Sequence, residues 1–137
     1  MERQFVANKL ELENVMHWVG ESLLQLSVPD RLFGQVTLAI EEAVCNIVKY
    51  AYDNLKTPGV VHIFCTCEDG KLIVVIKDQG KPFNPVDKFF AMNKDKKTSS
   101  LVEKEGGLGI SFIMQCIHNV TYARQGEWNI LRLTQPL

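Results

Sequence analysis

The feature that most limits how this chain can fold is one long amphipathic run, Asp30 to Asn54 (DRLFGQVTLAIEEAVCNIVKYAYDN). Apolar side chains recur at Val36, Ile40, Ala43, Val44, Ile47, Val48 and Ala51, the spacing of a helix buried along one stripe. At about 100° per residue, Glu42 and Asn46 fall one turn apart on the side away from that stripe. A carboxylate and a carboxamide stacked in this way can share a magnesium ion and a water. They are also compatible with an ordinary solvated helix face.

The 137 residues are 46% apolar and 23% charged, which predicts one globular domain, residues 1–137, with a core of its own. A formal net charge of −1 supplies no global field for nucleic acid or an anionic membrane. The opening MERQFVANKLELE has no apolar h-region, and no apolar run reaches the roughly 18 residues of a membrane span. The expectation is a cytoplasmic protein. Cys45, Cys65, Cys67 and Cys116 form no C-x-x-C pair and read as reduced thiols in or near the core. His17, His62 and His118 each stand beside apolar residues rather than other ligands, which argues against a histidine metal site.

Taken in order, Arg3 to Ala7 reads as an edge strand, and Leu10 to Leu26 keeps helical spacing through Leu12, Val15, Met16, Val19, Leu23 and Leu26. Pro29 closes that segment, and Asp30 is expected to cap the long helix. Pro58-Gly59 marks a turn. Val60–Cys67 and Lys71–Lys77 are β-branched and apolar around Asp69-Gly70, a strong hairpin cue. Asn84 to Glu105 then loses all pattern over 22 residues holding five lysines and four acids. Loops of that length in compact domains are usually functional lids or disordered segments. Regularity returns in a helix over Ser111–His118 and in two strands, Val120–Arg124 and Asn129–Thr134, around Gln125-Gly126. The order β-α-α-β-β-lid-α-β-β with hairpin-type connections favours an α+β two-layer sandwich: a mixed, mainly antiparallel sheet covered on one face by three helices.

Two further clusters carry possible chemistry. Gly106, Gly107 and Gly109 precede a helix, where unpaired N–H groups and the helix dipole favour an anion such as phosphate. No Gly-Lys-Ser/Thr follows, so this is not a Walker A loop. The G-x-G-x-x-G spacing of a dinucleotide fold fails as well. Asp78 ends a strand with Gly80 two residues on; such a carboxylate can accept from an exocyclic amine such as adenine N6, and Asp-x-Gly is equally an ordinary turn.

Glu42-Ala43-Val44-Cys45-Asn46, Asp78-x-Gly80-x-Pro82-Phe83 and Gly106-Gly107-Leu108-Gly109-Ile110, in this order and at these separations, resemble the N, G1 and G2 boxes of the Bergerat-fold ATPases. That superfamily includes gyrase, histidine kinases and mismatch-repair ATPases. Within it the chain looks like the small anti-sigma-factor serine kinases of the partner-switching type, across nearly its whole length. The resemblance implies a histidine-kinase-like ATPase fold, ATP and Mg²⁺ as cofactors, and serine/threonine protein kinase activity. It implies Glu42 as the general base, Asn46 as the Mg²⁺ ligand, Asp78 on adenine N6 and Gly80 under the ring. Gly107, Leu108 and Gly109 would bind phosphate at the helix start. The segment 84–105 would be the ATP lid, with Lys97, or otherwise Lys94, Lys96 or Lys104, reaching the γ-phosphate. The implied partners are a small STAS-type antagonist that is phosphorylated, a sigma factor that is sequestered, and a second copy of the chain as a homodimer, with no direct contact to nucleic acid or membrane.

Many members of that family carry a histidine four residues past the box asparagine and then a glycine. Tyr50 and Ala51 stand there instead, while Tyr52 matches, and Glu105 brings a negative charge next to the glycines. The competing reading is an ATP-gated protein-binding module without phosphotransfer. A histidine-kinase catalytic domain is a third, although His17 lacks an acidic neighbour at the next position; a gyrase-like ATPase would need a transducer domain after Leu137.

Overall fold

The inward residues of the central strand β3 (Lys71–Asp78) are Leu72, Val74 and Ile76, each at 1% exposure, and then the carboxylate of Asp78. That alternation makes β3 the spine of the domain. A computed structural model describes residues 1–52, 59–94 and 107–137. Five strands form one sheet in the order β1-β2-β3-β5-β4, where β1 is Glu2–Val6, β2 Val60–Glu68, β4 Asn119–Gln125 and β5 Trp128–Pro136. Every pairing is antiparallel rather than mixed. The β2–β3 hairpin turns on Asp69 and Gly70, whose φ angles of 51° and 74° give the two-residue turn that matches strand twist. Gly126, at φ 60°, does the corresponding work between β4 and β5.

Helices α1 (Leu12–Gln25), α2 (Asp30–Asn46) and α4 (Gly107–Cys116) supply Val15, Val19, Leu23, Val36, Ile40, Val44 and Ile113 to the buried core, and Ile117 follows directly after α4. These side chains pack on the inward residues of β2, β3 and β5, so the three expected helices do form the second layer. A 3₁₀ turn, Lys9–Glu11, leads into α1 and is capped by Asn8, whose Oδ1 accepts from Glu11 N at 2.9 Å. The helix ends in a Schellman motif: Val28 N donates to Leu23 O, Ser27 N donates to Leu24 O, and Ser27 takes the left-handed conformation at φ 58°.

Three expectations need correcting. Pro29, not Asp30, is the residue that precedes α2; Asp30 is its first helical residue, where its charge meets the dipole instead of capping an N–H. The long helix changes pitch after Asn46 into a π-helical turn, Ile47–Ala51, and residues 53–54 lie outside the described set. The first part of the expected lid is regular: Pro85–Lys94 is a helix, α3. Asn84 caps it, its Oδ1 accepting from Val86 N and Asp87 N at 3.0 and 3.1 Å. Asn-Pro followed by an acid is a helix start, and the stretch lacked only the apolar periodicity that would have announced it.

Cys65 is buried on β2, and burial pushes its thiol up to about 11. Among the described residues no helix is long and apolar enough to cross a membrane. Ile76, at 1% exposure in the middle of the sheet, and Leu10, at 89%, make a paired test of the core. Urea unfolding should show Ile76→Ala losing about 3 kcal/mol and Leu10→Ala staying within about 0.5 kcal/mol of the parent.

Candidate functional site

The inward face of the sheet is apolar along most of its length and polar in its last row. Register places Val61, Asp78, Asn129 and Arg124 side by side across β2, β3, β5 and β4. The row before it on that face is Ile63, Ile76, Leu131 and Tyr122. Between this end of the sheet and α2 lies a cleft. Its walls come from Asn46 and Tyr50 at and just after the end of α2, from Asp78, Asn129 and Tyr122 on the strands, from Lys81 and Phe83 after β3, and from Ile113 on α4.

Asp78 is 6% exposed. Its Oδ1 accepts from Gly80 N at 2.9 Å and from Asn129 Nδ2 at 2.9 Å. Burial holds the carboxyl above the usual range, while the bonds from Asn129 and Gly80 and the charge of Arg124 oppose that shift. Arg124 is itself tied down, its Nη1 donating to Gly80 O at 2.8 Å. Asn129, 5% exposed, also donates to Lys81 O at 2.9 Å and accepts from Phe83 N and from the Tyr122 hydroxyl. A buried acceptor at one end of a largely apolar cleft, with its partners fixed, is suited to a flat base bearing an amino group.

Gly80 is buried where the chain leaving α2 comes closest to the strands. A side chain there would run into Ala51 O, and its Cβ would stand 2.5 Å from Ala51 Cβ. Lys81 N donates to the same carbonyl at 3.1 Å. The glycine is thus required by Ala51. Tyr52 braces the same junction: its hydroxyl donates to Val60 O and accepts from Gln79 N, both at 2.7 Å.

Glu42 and Asn46 are both half-buried, contrary to a face turned away from the interior. Asn46 looks into the cleft. Glu42 lies beneath α4, where a Cβ on Gly109 would collide with its Oε2 and stand 3.2 Å from its Cδ. Packing of α4 across α2 is what covers Glu42. Gly107 opens α4, Leu108 is 62% exposed, and Gly109 is buried against Glu42. The structure therefore brings Asn46 and Asp78 to one cleft and sets Glu42 against Gly109 one turn away; Glu42 and Gly109 are not in the cleft wall. Lys97, like Lys96, Lys104, Glu105 and Gly106, lies outside the described residues, as does the side chain of Lys94.

Sequence reasoning missed Asn129, Tyr122 and Arg124. The available signal was register: Asn129 shares a face with Leu131 and Leu133, just as Asp78 shares one with Leu72, Val74 and Ile76. A lone polar residue at an inward position calls for a buried partner.

The antiparallel sheet, the buried acid in the cleft and the glycine-started helix beside it all fall within one ATPase-type domain, by the family match. Residues 5–135 match the histidine kinase-like ATPase domain, and the chain belongs to that family. It is 32% identical over 91 residues to the serine-protein kinase RsbW of Staphylococcus aureus strains MRSA252 and Newman, a match covering 64% of this chain and 56% of each relative. The chain thus spans about half the length of the curated relatives it matches. Its fold is similar to the structure of the RsbU and RsbW domains of Rv1364c from Mycobacterium tuberculosis, with a TM-score of 0.65 at 15% identity over 100% of this chain and 32% of that one. The histidine kinase domain from the Erythrobacter litoralis EL346 blue-light activated histidine kinase gives 0.58 at 16% identity, over 92% and 61%.

Two outcomes follow from this geometry. Gly80→Ala should cost about 2 kcal/mol by urea unfolding, whereas Gly34→Ala, on an exposed turn of α2 with nothing near its missing Cβ, should gain up to about 1 kcal/mol. Because the folded pKa of Asp78 lies above its unfolded value of 3.8, the native state binds more protons than the unfolded chain between the two values. Stability then falls as pH rises through that window. Unfolding free energies of wild type and Asp78→Asn, compared at about pH 4 and pH 7, should show the wild type gaining on the variant at the lower pH.

Proposed function

We propose that this chain is an ATP-dependent serine/threonine protein kinase that phosphorylates a small STAS-type antagonist protein and sequesters a sigma factor. The observation that carries the reading is the pairing of Asn46 and Asp78 across one cleft, with Glu42 one helical turn away against the start of α4. Relatives named serine-protein kinase support the choice of hydroxyl acceptor. The resemblance stated from the three boxes supports the antagonist, the sigma factor and a homodimeric state.

The donor set suits the cofactors. Asp78 offers a buried carboxylate to the exocyclic amine of adenine. Asn46 offers a single hard amide oxygen, which fits Mg²⁺ because that ion keeps several waters and takes its remaining ligands from phosphates. In nucleotide complexes of this kind the metal neutralises charge on the phosphates. The chain's own part is positional. Asp78 fixes the base, Gly107, Leu108 and Gly109 present first-turn N–H groups to an anion, and Glu42 accepts the proton of the incoming hydroxyl. Holding these groups together supplies most of what phosphoryl transfer asks of a protein.

Calorimetry with MgATP tests the nucleotide site. The carboxamide introduced by Asp78→Asn would keep an oxygen for Gly80 N and Asn129 Nδ2 but turn an NH₂ group toward the base amine. That substitution should therefore weaken ATP binding about tenfold or more. Glu42→Gln should retain ATP and lose phosphorylation of a STAS-domain protein by about a hundredfold or more. A wild-type protein that binds MgATP but modifies no such antagonist would favour the gated binding module.

A further inference from the structure

The side-chain bonds that Asp78 accepts among the described residues both fall on Oδ1, from Gly80 N and Asn129 Nδ2. The orientation of the Asn129 amide is not arbitrary. Its NH₂ group meets three acceptors, Asp78 Oδ1 and the carbonyls of Lys81 and Gly80. Its oxygen meets two donors, Phe83 N and the Tyr122 hydroxyl. A reversed amide would oppose oxygen to three oxygens and NH₂ to an N–H, so the network has one consistent polarity. Hydrogen bonding thus runs in one direction, from the Tyr122 O–H through the Asn129 amide to Oδ1 of Asp78. Tyr122 and Asn129 stand on neighbouring strands, lie outside all three sequence boxes, and both line the cleft.

From this polarity we infer that Tyr122 and Asn129 are positioning residues for base selection. They hold Oδ1 of Asp78 back against β5 and leave Oδ2 as the oxygen that meets the ligand, an acceptor that takes an amino group and rejects a carbonyl. The ligand class is a purine nucleotide with an exocyclic amine at the position where inosine and guanosine carry an oxygen. This rests on the nucleotide reading given above and adds residues and a discrimination to it. Loss of the chain of bonds would free the carboxylate to rotate or to pair with Arg124, whose charge already acts on it. Selectivity would then fall more than affinity.

The test compares binding of MgATP and MgITP, which differ in that amino group, to wild type, Tyr122→Phe and Asn129→Leu, with thermal melting run in parallel. Wild type is expected to favour ATP by roughly a hundredfold. Tyr122→Phe, which deletes one hydroxyl, should reduce the ratio about three- to tenfold, and Asn129→Leu should reduce it further. A purely structural role would lower the melting temperature and both affinities together while leaving the ratio intact. Should Asn129→Leu not fold, Tyr122→Phe alone decides. An unchanged ratio in the folded variants, or a wild type indifferent to the amino group, overturns the positioning role while the nucleotide site stands. A folded wild type that binds neither triphosphate overturns the nucleotide reading itself.

Discussion

A carboxylate withdrawn from water at the end of the sheet is the interaction on which the site depends. Asp78 sits where the alternation of β3 would otherwise deliver another aliphatic side chain, and at 6% exposure it needs compensation close by. The fold supplies it from three directions: an amide from β5, a backbone N–H from the turn that follows, and a guanidinium from β4. The amide and the guanidinium are themselves pinned by further bonds to the same turn. The base of the cleft is therefore held by a bonded network within the chain itself.

Close approach to α2 and the turn that extends it is achieved twice by omission of a side chain. At Gly80 the turn after β3 passes the carbonyl of Ala51, and at Gly109 the first turn of α4 passes the carboxylate of Glu42. At Gly80 a methyl group would meet backbone and force the layers apart, whereas at Gly109 it would displace the end of the Glu42 side chain. The π-helical turn at Ile47–Ala51 keeps Ile47 in the core while Ile47, Tyr50 and Ala51 also line the cleft. Wide turns of this kind often occur at functional positions, where the extra residue re-aims its neighbours. The helix layer thus acts as both core and cleft wall, and any shift of α2 would be felt by Asn46 and Glu42 together.

Family membership and local geometry bear on different parts of the site. The match over residues 5–135 covers the three boxes and both layers, so the ATPase-type fold follows from descent. The support of the Asp78 carboxylate is read from this chain's own geometry, since Asn129 and Tyr122 arise from the last hairpin and from no box motif.

Local pattern in the sequence was enough for the elements themselves: the apolar stripe of α2, the Asp69-Gly70 hairpin and the alternation of the strands are short-range consequences of side-chain period and turn stereochemistry. The ordered boxes, by resemblance, pointed to Glu42, Asn46, Asp78 and the glycines that the structure places in the first turn of α4. Other features had no local signature. The need for glycine at position 80 comes from the backbone of Ala51, and Gly109 packs on the Glu42 side chain, both residues far away along the chain. The pairing of Asp78 with Asn129 crosses 51 residues and depends on the β3–β5 register. Periodicity reports which face a residue occupies, because that is set by its own backbone. What stands opposite that face is fixed only when strands and helices pack, and the partners of Asp78 and Asn129 were decided at that step.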